Sequence, residues 1–136
     1  MHLLFTIFTL CFMNLLSFSQ SNKVSEIHKN KAIDELISGN KQKALIEINQ
    51  AINLFPYNAD YYYVRGNVIE KMNDINNALI DYKKSISLNP THTDATMKCG
   101  IMLAKLNNKK KACGYFKKAC ELGENKACEP NIKFCN

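Results

Sequence analysis

The chain repeats itself at an offset of 34 residues, and no other feature limits its possible folds so strongly. Ala44, Ala78 and Ala112 keep that spacing, as do Leu54, Leu88 and Leu122, and Ile48, Tyr82 and Phe116. Pro56 and Pro90 repeat, and so do Gly66 and Gly100, while Ala51, Ser85 and Ala119 hold a further slot small. A fixed period of this length marks a stack of supersecondary units, none of which buries its apolar face alone.

The pattern inside a unit explains the period. In 59–90, apolar residues return at helical spacing from Tyr61 to Met72, polar Asn73-Asp74 interrupt, and the spacing resumes from Ala78 to Leu88. Pro90 closes the second helix because the residue before a proline is pushed out of helical geometry. Each unit is thus a helix, a tight turn and a helix. Gly66 with Ala78, and Gly100 with Ala112, are small where paired helices approach, and Tyr82 and Phe116 are large enough to fill the space beside them. Three hairpins are expected near 23–55, 59–89 and 93–122, then a short terminal helix or turn, with no sheet.

The unit resembles the tetratricopeptide repeat, whose pattern runs aromatic, glycine, alanine, aromatic, alanine and a closing proline. The second unit matches at Tyr62, Gly66, Ala78, Tyr82 and Pro90, with Ser85 as the small substitute; the third matches at Gly100, Ala112, Phe116 and Ala119, but has Thr96 for the aromatic and Glu124 for the proline. The first matches at Ala44, Ala51 and Pro56; its first helix, with His28, Ala32 and Glu35 at family slots, is atypical and suits the outer end of a stack. The resemblance implies an all-α helical-hairpin repeat solenoid, with repeats at about 25–58, 59–92 and 93–126 and a cap at 127–136.

Before the repeats, Leu3 to Phe18 is apolar and closes on Ser17, Ser19 and Gln20. It is short for a membrane span, which needs about 20 apolar residues, and Thr6, Thr9 and Asn14 interrupt it. It fits a signal peptide over 1–19, cleaved between Ser19 and Gln20, although only Met1 and His2, and no lysine or arginine, precede the apolar run. The expected location is outside the cytoplasm, secreted or periplasmic; the alternative is an uncleaved N-terminal anchor.

The formal charge of +6 is uneven. From Gln20 to Met97 nine basic residues face nine acidic ones, whereas Lys98 to Asn136 has nine lysines against three glutamates. The C-terminal part therefore has either a solvated lysine surface or a face for an anionic partner. Export argues against nucleic acid.

Cys11 would leave with the signal, so five cysteines remain, at 99, 113, 120, 128 and 135. Cys113 and Cys120, two helical turns apart, lie on one face and cannot reach each other. If the chain turns at Gly123-Glu124 and runs back as a helix, the pairs Cys120/Cys128 and Cys113/Cys135 are both centred on residue 124. The stretch ACELGENKAC also resembles cysteine-rich helical-repeat proteins in which cysteines bridge successive helices. Two features oppose the pairing. Pro130 interrupts the proposed helix, and the repeat frame puts Cys128 and Cys135 in the slots of Asp94 and Ile101, so the helix must roll. The alternative is buried, reduced thiols. Cys99 has no mirror partner and is expected to be free.

No enzyme chemistry is legible. Cys-x-x-Cys, a haem attachment sequence and a glycine-rich phosphate loop are all missing, and His28 and His92 fall in different repeats. The carboxylates are read as scattered and solvent-facing. No cofactor or metal is expected. The resemblance implies that the first helices line a concave groove holding an extended peptide or a helix. The corresponding rows are Lys29, Tyr63, Met97 and Ile33, Asn67, Ile101, with Glu70, Lys71 and Lys105 continuing the face. The family's carboxylate-clamping groove is not expected, because Ile33, Val64 and Asp94 stand where polar or basic clamp residues would be. The expected function is a protein- or peptide-binding scaffold. The alternative is a structural or weakly self-associating envelope component without a dedicated ligand.

Overall fold

The computed structural model describes residues 2–128 and 135, with side chains from Ser19 onward, and its described residues are helical without a strand. The helices are α1 (His2–Ile37), α2 (Lys41–Leu54), α3 (Ala59–Lys71), α4 (Ile75–Leu88), α5 (Thr93–Lys105) and α6 (Lys109–Glu121). They form three hairpins, α1/α2, α3/α4 and α5/α6, stacked through the packing of α2 on α3 and α4 on α5. The expected hairpins are therefore present. The one large boundary difference is the start of α1, which begins at His2 rather than near residue 23. No glycine or proline occurs before Gly39, so nothing in the chain stops the helix earlier. The side chains of residues 1–18 of the proposed signal lie outside the described residues. Among described residues no helix is long and apolar enough to cross a membrane.

Polar side chains start the later helices as N-caps. Asn58 accepts from the Asp60 N–H, Asp74 from Asn77, His92 from Ala95 and Asn108 from Lys111. Within a hairpin, helices meet at the small residues. A Cβ on Gly66 would lie 2.6 Å from the Tyr82 ring, and one on Gly100 2.6 Å from the Phe116 ring. Both rings are essentially fully buried. Packing interlocks from unit to unit: Tyr82 of the second hairpin shares a cluster with Cys99, Met102, Leu103 and Phe116 of the third. A second cluster joins Ala32, Ile48 and Ile52 to Tyr61, Tyr62 and Val64.

The chain ends α1, α3, α5 and α6 in the same way. In each, one residue enters the left-handed region (Gly39, Asn73, Asn107 and Gly123), and the next N–H bonds back to the carbonyl five residues earlier, as Glu124 does to Ala119 at 2.9 Å. Glu124 occupies the slot that is Pro56 and Pro90 in the earlier units. The third hairpin is therefore followed by a tight turn of the within-hairpin kind, and helix resumes at 125 instead of at the repeat-frame position 127. This moves the cap two residues earlier than expected and lets the terminal segment take the roll that the pairing needs. Cys120 and Cys128 stand at disulfide distance with Cα atoms 5.0 Å apart, as do Cys113 and Cys135 at 5.3 Å, both inside the range a bridge requires. Cys99 is free and buried.

Candidate functional site

The face of the first helices is held together by cross-links between hairpins. Tyr61 of α3 meets α1 through Ser25 Oγ at 2.9 Å and donates to Glu26 at 3.2 Å. From α5, Lys98 and Lys105 donate to the two oxygens of Glu70 on α3, at 2.7 and 3.1 Å. His92 caps α5 by accepting the Ala95 N–H at Nδ1, so its proton resides on Nε2, 3.2 Å from an Asp60 oxygen without full hydrogen-bond geometry. The Tyr63 ring is half-buried between these parts, with its centroid 5.0 Å from His92 and 6.0 Å from Tyr82.

Tyr82 on α4 joins two of the expected groove residues from below. Its hydroxyl lies 2.8 Å from Asn67 Oδ1 and 2.7 Å from Glu70 Oε2. A phenol has one proton, and the charged carboxylate is the stronger acceptor. Tyr82 therefore donates to Glu70, and the Asn67 amide, whose O and N ends are interchangeable by shape, turns its NH2 toward the phenol oxygen. Burial pushes the Glu70 carboxyl up, but bonds from Lys98, Tyr82 and Lys105 outweigh it and leave its pKa below the ordinary value. Burial, followed by the Glu70 bond, raises the Tyr82 phenol far above its usual range.

The expected groove residues thus divide by what they already do. Asn67, Glu70 and Lys105 are tied into this internal network, and Lys29 is ion-paired with Glu26. Ile33 and Ile101 pack partly against the two core clusters, as does Tyr63. Met97 is half-buried, and Lys71 is exposed. Tyr63 is partly exposed, as the sequence led us to expect. Asp60 and Asp94 begin α3 and α5, and Lys71 and Lys105 end them, so the face is acidic along one edge and basic along the other.

The expectation of scattered, solvent-facing carboxylates is corrected. Asp81 is 4% exposed and takes two bonds from Arg65, at 2.7 and 2.8 Å, while Arg65 also donates to Asn49 at 3.1 Å. Glu47 receives His28 at 2.7 Å and pairs with Lys31. Glu70 is the third such carboxylate. A signal for two of them was present at the repeat spacing. Lys31 and Arg65 stand 34 apart, as do Glu47 and Asp81, so the first two hairpins each carry a base–acid pair in the same slots. In the third hairpin those slots hold Cys99 and Tyr115.

The sequence family described as tetratricopeptide repeat matches residues 59–92. No curated protein matches the chain in sequence. Several solved structures share its fold. The tetratricopeptide domain of Arabidopsis OM64 is 22% identical with a TM-score of 0.79, over 85% of this chain and 97% of that one. The first such domain of Spaghetti (RPAP3), solved bound to the HSP90 peptide SRMEEVD, is 19% identical with a TM-score of 0.79, over 84% and 92%. MamA is 30% identical with a TM-score of 0.72, over 79% of this chain but 62% of its own. Residues 59–92 are thus a tetratricopeptide repeat, and the chain as a whole has the fold of a tetratricopeptide-repeat domain with a cysteine-rich end.

Proposed function

We propose that this protein is an exported interaction module that holds a protein or peptide partner across the face of its first helices. One observation carries the reading. Tyr63, Met97, Ile33 and Ile101, contributed by α1, α3 and α5, are left half-buried on elements fixed to one another, α1 to α3 by the Tyr61 bonds and α3 to α5 by the Glu70 network. A rigid, incompletely covered apolar row with charged edges suits a partner that buries its own apolar side chains there. Two structural neighbours solved with bound peptides, of HSP90 and HSP70, support the general use of this fold for peptide binding. Export is supported by the apolar N-terminal stretch and by cysteines paired as an oxidising compartment permits.

The test captures partners from the exported fraction with the mature chain, comparing wild type with Met97→Glu and with Tyr63→Ala/Asn67→Ala. Circular dichroism verifies each fold, because Asn67 also supports Tyr82. A partner retained by wild type and lost by both variants supports the site; equal retention rejects it. N-terminal sequencing of the exported form is expected to begin at Gln20, and a membrane-bound chain beginning at Met1 would favour the anchor.

A further inference from the structure

The opposite side of the stack carries two clefts related by the repeat, and they differ in chemistry. The first lies between α2 and α4, where Asn77, Ile80 and Asp81 line it together with Arg65. Its charges are satisfied within the protein by the Arg65–Asp81 pair. The second lies between α4 and α6, encloses about 350 Å³ and is lined by Ile86, Lys111, Gly114, Tyr115 and Lys118.

Compared slot by slot, the second cleft is opened and made cationic. Gly114 replaces Ile80, and a Cβ there would meet nothing within 4 Å. Tyr115 replaces Asp81, and Cys99 replaces Arg65, which removes the internal ion pair. Lys111 replaces Asn77. Lys118 keeps the lysine of Lys84, but the Tyr62 ring that lies 5.8 Å from Lys84 is replaced by Thr96. Both Lys111 and Lys118 are exposed, and neither is ion-paired among the described residues. At 100° per residue they stand roughly opposite Cys113 and Cys120 on α6, so the disulfides are on the other flank.

We propose that this cleft is a second docking site, for an acidic peptide segment carrying an apolar side chain between its carboxylates. The apolar side chain sits on Ile86, the Tyr115 ring and the open backbone at Gly114. The carboxylates meet Lys111 and Lys118, which rise about 10.5 Å along the helix. An extended segment covers that distance in about three residues. The site is independent of the first-helix face.

The test uses fluorescence anisotropy of a labelled Gly-Glu-Glu-Leu-Phe-Glu-Glu-Gly peptide with the oxidised mature chain. Binding is expected to weaken at least about tenfold in Lys111→Glu/Lys118→Glu, in Gly114→Ile, and with the peptide's glutamates changed to glutamine. The melting temperature of Gly114→Ile should not fall, because glycine is a poor helix residue and the space is empty. Met97→Glu, on the other face, should bind the peptide as wild type does. Undetectable binding to wild type overturns the proposal, as does full binding to Gly114→Ile or loss in Met97→Glu alone. Capture of phosphatidylserine vesicles by wild type and Gly114→Ile alike, without peptide binding, would make the surface a lipid contact and also overturn it.

Discussion

Reducing the two disulfides should release the C-terminal segment before it melts the repeats. Cys120–Cys128 closes eight residues and Cys113–Cys135 closes 22, with the smaller loop nested inside the larger. Loop-closure entropy assigns the inner bridge about 2.5 kcal/mol. The outer one then acts as a loop of about 14 residues and adds about 3 kcal/mol. Their combined effect, about 5.5 kcal/mol, is an upper bound that corresponds to roughly 15–20 °C in melting temperature for a domain this size. Fraying of the reduced native state lowers it, since of residues 125–128 only Ala127 is fully buried. Thermal unfolding with and without a phosphine reductant measures the global effect, and hydrogen exchange on peptides covering 109–128 the local one. Exchange should rise first after residue 124. Cys99 should stay unalkylated at neutral pH in the native state, because burial pushes its thiol up to about 12, and should react once the chain is unfolded. Unchanged melting together with unchanged exchange would refute the anchoring argument. Free thiols at all of Cys99, Cys113, Cys120, Cys128 and Cys135, or a peptide linking Cys99 to another cysteine, would refute the pairing itself.

Changing Asp81→Ala should cost about 2–4 kcal/mol in urea denaturation, because Arg65 is left without its buried carboxylate; the double change Arg65→Met/Asp81→Leu should recover most of the loss. Two glycines should respond with opposite signs. Gly100→Ala should lose about 1–2 kcal/mol through collision with Phe116, whereas Gly114→Ala should gain about 0.5–1 kcal/mol, both read from denaturant midpoints. Glu70, whose folded pKa is depressed, stabilises the protein above its unfolded value near 4.5, and that contribution disappears as pH falls through the lower folded value. Stability measured against pH should therefore drop on acidification below about 4.5, and Glu70→Gln should flatten that limb; an identical acid limb would remove Glu70 from its cause.

Sequence alone determined the hairpins. A 34-residue period with glycine and alanine at fixed slots leaves helix pairs one close-packed arrangement, which is why the contact of Gly66 with Tyr82 was legible before any coordinate. The mirror about residue 124 was legible too, because helical rise and a tight turn suffice to align two cysteine pairs. The tertiary structure decided what happens between units. Only in the folded stack do α3 and α5 lie close enough for Lys98 and Lys105 to reach Glu70, converting three expected groove residues into parts of a bridge. Asp81 and Glu47 look like surface residues along the chain, and their burial depends on partners sixteen or more residues away. The terminal helix followed the hydrogen bonds of the Gly123 turn instead of the repeat frame, because without a proline at 124 the shorter turn satisfies the last carbonyls of α6. Periodicity reports which face of a helix is buried. The groups satisfied on that face are set by the neighbouring helix, and only packing chooses it.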